Sequence, residues 1–141
     1  CLSFGRARPA QKLMRVDKEC HLYDDWHDQL LCAKNMHEGD MAIAFSYSGL
    51  TQEVLDCTVE AQRHNCPVVA VTKVDGSSKL ATMADAVLGV AASEPLVRSG
   101  AMASRMAQLM VVDALYAAYV ASDYERATHV IKQNYIEKQE R

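Results

Sequence analysis

Short apolar runs alternate with helical patterns five times along the 141 residues, and no other feature restricts the fold as strongly. The runs fall at Leu2 to Phe4, Glu19 to Tyr23, Met41 to Phe45, Pro67 to Thr72 and Asp85 to Val90. Helical patterns follow from Pro9 to about Val16, Trp26 to Asn35, Gln52 to His64, a short piece ending near Met83, and Ala101 to Ser122. A last helix is expected from Tyr124 to about Glu137. Strands separated in this way by helices pair in parallel, because each crossover must return the chain to the same end of the sheet. The predicted fold class is therefore α/β, a three-layer α/β/α arrangement around a five-stranded parallel sheet. Ligands in such folds bind at the C-terminal ends of the strands. That selects the turns Gly5–Arg8, Tyr23–Asp25, Ser46–Thr51, Thr72–Ser78 and Ala91–Gly100.

Among these, Ser46-Tyr-Ser-Gly-Leu-Thr51 has the densest set of donors. It follows an apolar strand and opens a helix at Gln52, so the unpaired N–H groups of a helix's first turn face it. The helix dipole favours negative charge at that point. Ser46, Ser48 and Thr51 add rotatable hydroxyl donors, and Gly49 permits close backbone approach or a positive φ. Two readings fit these residue types: a phosphate-binding turn, or an ordinary strand-to-helix connection built from the usual turn and cap residues.

The loop Ser93 to Ser104 should arch over the same end of the sheet. In it Glu94 can accept from sugar hydroxyls or move a proton, Arg98 can pair with phosphate, and Ser99 can donate. Glu94 and Arg98 equally suit a solvated loop, and Ser99 a helix cap. Asp24, Asp25, His27 and Asp28, near Cys20 and His21, lack a recognised ligand spacing; acids also suit a helix start, and no metal is expected. The G-x-G-x-x-G and P-loop patterns are absent, and no cofactor is expected.

Composition narrows the classes further. Net charge is −3 and the 15 Lys and Arg are scattered, which argues against nucleic-acid binding by this segment itself. Five cysteines without a C-x-x-C suit reduced thiols and a cytoplasmic location. Cys57, Cys66 and His64 read as structural. The one long apolar stretch, Ala101 to Ala121, holds Arg105, Gln108 and Asp113, so it suits a core helix and not a membrane span. It is apolar around most of its circumference, through Met102, Met106, Leu109, Met110, Val112, Leu115, Tyr116, Tyr119 and Val120. One face suits the core and the remainder a subunit interface.

The Ser46 to Thr51 turn resembles the Ser-x-Ser-Gly-x-Thr phosphate turn of the sugar isomerase (SIS) domain. Lys12-Leu-Met-Arg15, Asp28-Gln-Leu-Leu31, Asn35-Met-x-x-Gly-Asp40 and Arg98 to Leu109 are similar to the sensor domain of RpiR-type transcriptional regulators. The resemblance spans nearly the whole chain and implies a flavodoxin-like sheet that binds a phosphorylated sugar or sugar acid. It implies phosphate contacts from Ser46, Ser48 and Thr51, with the Gly49 and Leu50 N–H groups nearby. Glu94 matches the position where isomerase members keep a proton-transferring glutamate; in the regulators the ligand is sensed and not converted. A homodimer or homotetramer is implied, with DNA bound through a preceding helix-turn-helix domain. The start at Cys1, within an apparent strand, is read as that of a fragment. One departure stands out. The family's first strand leads into a Gly-x-Gly-x-Ser turn, whereas here Gly5-Arg-Ala-Arg-Pro9 lacks the serine and the following helix is short.

The expected function is thus the effector-sensing and oligomerising domain of a regulator of carbohydrate metabolism. The rival is an aldose–ketose phosphate isomerase with Glu94 as base. A degenerate domain with a structural role alone is the third reading.

Overall fold

The computed structural model describes residues 9–91 and 102–135. Three strands, β1 (Ala42–Phe45), β2 (Val68–Lys73) and β3 (Ala86–Val90), form a parallel sheet in the order β1-β2-β3. Ala42 pairs with Val68 and Phe45 with Val71, while Val69 pairs with Ala86 and Lys73 with Val90. Six helices accompany the sheet: α1 (Pro9–Met14), α2 (Trp26–Lys34), α3 (Gln52–Arg63), α4 (Lys79–Met83), α5 (Met102–Ser122) and α6 (Tyr124–Gln133).

Strand alternation sorts the apolar side chains to two faces. Ala42, Ala44, Val68 and Ala70 point one way and bury Val54, Leu55 and Ala61 of α3 with Leu80 of α4. Phe45, Val71, Leu88 and Val90 point the other way, onto Ala107, Val111 and Val112 of α5. The result is the expected three-layer arrangement. A further layer forms where α2 leans on α3 through Ala33, Cys57, Trp26 and Leu30.

Helix ends follow local chemistry. Asp25 caps α2 by accepting from the His27 N–H at 2.8 Å. The acids at 24–28 thus start a helix, and among the described residues no group of three potential ligands is arranged to hold a metal. Asn65, at φ 56°, ends α3: its N–H reaches the Gln62 carbonyl, and the Cys66 N–H reaches Ala61. This is the left-handed C-terminal motif that Asn tolerates better than most residues. Burial and nearby Asp56 push the Cys57 thiol up to about 11, and Cys66 is also buried, as suits structural thiols.

Among the described residues, one expected strand does not form: over Glu19–Tyr23 the chain pairs with no other described strand. Its i, i+2 contacts, Glu19 to His21 at 3.0 Å and the stacked His21 and Tyr23 rings, place three polar or amphipathic side chains on one side. A parallel strand needs both faces apolar, and this segment supplies at most one. The described residues therefore hold three of the five expected strands. The strand expected at Leu2–Phe4 and the Gly5–Arg8 turn lie outside the described residues. No described helix is long and apolar enough to cross a membrane.

Candidate functional site

β1 ends at Phe45, and the next six residues fold into a closed hydroxyl turn before α3 begins. Ser46 is nearly buried, and its N–H continues the ladder to the Val71 carbonyl at 3.2 Å. Its Oγ accepts from the Gly49 N–H at 3.1 Å and lies 2.9 Å from Thr51 Oγ1. Ser48 Oγ accepts from the Leu50 N–H at 3.2 Å. Thr51 occupies the N-cap position of α3 yet makes no side-chain cap bond, because its hydroxyl is turned to Ser46. The first-turn N–H groups of α3 therefore keep their partial positive charge without a side-chain cap from Thr51.

Proton accounting shows what this turn can offer. Each serine oxygen already accepts a backbone N–H, which leaves its own O–H free to point elsewhere. Ser46 and Thr51 share one bond between two hydroxyls, so one hydrogen of the pair is left over. Ser48 contributes another. The turn is thus preorganised to donate to an anion: both serine oxygens accept from within it, and two of its three hydroxyl hydrogens are left over. The Gly49 and Leu50 N–H groups are engaged in the turn itself and shape it.

The turn is held from beneath. The Tyr47 carbonyl accepts from the Lys73 N–H at 3.1 Å and from Thr72 Oγ1 at 3.3 Å, both at the end of β2. The Gly49 carbonyl accepts from the Leu80 N–H of α4 at 3.0 Å. Gly49 has φ +66°, and a Cβ there would overlap Ser78 Oγ and stand 2.6 Å from Ser78 Cβ and 2.9 Å from Thr72 Oγ1. Glycine is therefore required on both conformational and steric grounds. Sequence reasoning marked the Thr72–Ser78 turn as ligand-proximal without seeing that Thr72 and Ser78 pack under Gly49. A hydroxyl at a strand's C-terminal end and another at a helix N-cap are the residue-level signals.

Ser46, Ser48, Gly49, Leu50 and Thr51 all lie in this one turn. Glu94, Arg98 and Ser99 lie outside the described residues.

A separate cavity of about 950 Å³ runs along β1 from its N-terminal end, lined by Glu19, Cys20, His21, Asp28, His37 and Asp40 among others. None of residues 46–51 lines it. Its wall sets Glu19, Asp28 and Asp40 against Lys18, and this excess of carboxylates disfavours a phosphate dianion. The turn at residues 46–51 is the candidate anion site.

At the neighbouring strand end, Lys73 and the Ser77 side chain and N–H hold the Asp75 carboxyl at about 2, below its ordinary 3.8. A depressed carboxyl stabilises the fold above its unfolded value and loses that contribution as pH falls through about 2. NMR titration of Asp75 should find a midpoint near 2, and Lys73→Ala should move it back toward 3.8.

With this geometry in view, the comparisons with known proteins are specific. The SIS domain family model matches residues 10–118. An uncharacterized HTH-type transcriptional regulator of Caldanaerobacter subterraneus is 40% identical over 113 residues, covering 80% of this chain and 40% of that protein. Among solved structures, Vibrio vulnificus NanR complexed with ManNAc-6P aligns with TM-score 0.82 and 28% identity, over 94% of this chain and 52% of that one. The sugar isomerase domain of an RpiR transcription factor from Sphaerobacter thermophilus shares the fold, with TM-score 0.74, 21% identity, and coverage of 94% and 73%. The chain spans about two fifths of the length of the curated relatives it matches.

Proposed function

This chain belongs to the SIS domain family, and from that premise we propose that it is the phosphosugar-sensing, oligomerising domain of a transcriptional regulator of carbohydrate metabolism. The observation that carries the proposal is the hydroxyl turn at Ser46–Thr51, closed on itself and placed at the uncapped N-terminus of α3. Its leftover hydroxyl hydrogens and the helix dipole suit a phosphate monoester. The 28% identical NanR structure holds a 6-phosphosugar, which supports the same ligand class here.

In this reading Ser46, Ser48 and Thr51 hold the phosphate, and Gly49 and Leu50 fix the turn's shape. Arg98 pairs with the phosphate, and Glu94 and Ser99 meet the sugar. The domain occupies residues 1–141, and DNA binding belongs to another part of the full regulator. The protein acts in the cytoplasm, and subunits associate through the exposed side of α5, where Met106 and Met110 face solvent. Ligand and DNA become linked if the phosphosugar has different affinities for two subunit arrangements.

The relatives named as transcriptional regulators favour sensing over turnover. A sugar-phosphate isomerase is the rival, with Glu94 as its base. Thermal shift against a panel of sugar phosphates tests both. At 100 times its Kd a bound ligand stabilises by about 2.7 kcal/mol, enough to raise Tm by roughly 10 °C in a domain of this size. Ser46→Ala with Ser48→Ala should weaken that ligand by roughly 100-fold, as loss of two charge-assisted hydrogen bonds implies. No shift from any member of the panel would end the sensing proposal. Conversion of a shifting ligand to its aldose or ketose partner would establish the isomerase instead.

A further inference from the structure

We propose that the buried Thr72–Ser78 hydroxyl pair positions the anion-binding turn and carries its occupancy to the N-terminus of α4. The inference rests on the reading of residues 46–51 as a phosphate site.

Proton direction along the pair is fixed by its neighbours. Ser78 Oγ accepts from the Ala81 N–H at 3.1 Å, which caps α4. Thr72 Oγ1 donates its one hydrogen to the Tyr47 carbonyl at 3.3 Å. The 2.9 Å bond between the two hydroxyls must then run from Ser78 to Thr72. A directed chain results: α4 N–H to Ser78, Ser78 to Thr72, Thr72 to the turn. Bonds in such a chain polarise and strengthen one another. Thr72 is fully buried and Ser78 nearly so, and neither has water to fall back on. A second tie, Leu80 N–H to the Gly49 carbonyl at 3.0 Å, joins the same two elements.

Tyr47 and Gly49 flank Ser48: the Tyr47 carbonyl belongs to the peptide that enters Ser48 and the Gly49 carbonyl to the peptide that enters Leu50, and both are held by the β2–α4 connection. A phosphate that draws on Ser48 or on the α3 N-terminus must shift or stiffen these peptides, and the bonded chain passes the change to α4. Thr72 and Ser78 are positioning residues: they touch the turn and not the ligand.

The test uses inorganic phosphate as probe, followed by amide NMR, in Thr72→Val and Thr72→Ser. Valine keeps the shape and deletes the hydroxyl; serine keeps the hydroxyl and deletes a methyl. In the unaltered chain, phosphate should shift the Gly49, Leu50 and Leu80 amides together. Thr72→Val should weaken phosphate binding about tenfold, the amount expected from one misdirected hydrogen bond, and should abolish the Leu80 response. Thr72→Ser should restore both, although it too loses packing. Equal phosphate affinity and an intact Leu80 response in Thr72→Val would overturn the proposal. If the unaltered chain showed no phosphate response, the site reading would fail. The positioning claim would then be decided without ligand, by exchange of the Gly49 and Leu80 amides, faster in Thr72→Val and normal in Thr72→Ser if it holds, unchanged in both if it does not.

Discussion

Gly49→Ala should lower Tm by roughly 10–15 °C and remove phosphosugar binding. The cost has three parts. A left-handed φ of +66° in a residue with a Cβ costs about 1–2 kcal/mol. The new methyl overlaps Ser78 Oγ, so Ser78 must rotate or move. Either movement takes its oxygen from the Ala81 N–H and from Thr72, at about 1 kcal/mol for the cap and a similar amount for the hydrogen bond. The total, about 3–4 kcal/mol, is a large part of what holds a domain folded. A double mutant separates steric overlap from backbone strain. Ser78→Gly removes the two nearest colliding atoms, leaving only Thr72 Oγ1 at 2.9 Å, and keeps a tolerable cap, so Gly49→Ala/Ser78→Gly should lose less stability than the two single losses predict. Strict additivity would show that the overlap contributes nothing and that strain alone explains the single mutant.

How far the sequence revealed this site follows from what kind of information each part needs. Ser46, Ser48, Gly49 and Thr51 were legible because strand, turn and helix start are adjacent in sequence, and each residue type has a local reason to be there. The reason Gly49 cannot be replaced was not legible. It lies in Ser78, 29 positions away, and becomes visible only when β2 and α4 are placed beneath the turn. Helix α3 was legible to one residue at its C-terminal end, since Asn65 and Pro67 both stop a helix by local means. The Glu19–Tyr23 segment misled because apolar and polar residues alternate there as on a half-exposed strand. Alternation describes a strand's side chains; it does not supply a partner for its backbone. The proton accounting in the turn was likewise out of reach, since it depends on which hydroxyl faces which N–H.

Placing charge on the exposed face of α5 should produce the other large effect. Met106 is 64% exposed, Met110 72% and Leu109 41%, on a helix whose opposite side is packed against the sheet. Ala103, Ala114, Ala117, Ala118 and Ala121 extend the exposed surface along the helix, small enough for a second helix to approach closely. Lys12 pairs with Asp113 on this helix. Burying a methionine contributes about 1.5–3 kcal/mol. A two-fold interface counts each substitution twice, so Met106→Glu with Met110→Glu removes four buried side chains and buries like charges face to face. Subunit association should therefore weaken by no less than about 6 kcal/mol, roughly four orders of magnitude in Kd. Sedimentation should show an oligomer for the unaltered chain and a monomer for the double mutant, with unchanged helix content by circular dichroism. Sugar-phosphate affinity measured on that monomer then tests the link between site and assembly: a sensing domain whose ligand prefers one subunit arrangement must bind differently once arrangement is lost. Identical sedimentation of the two proteins would remove α5 from the interface.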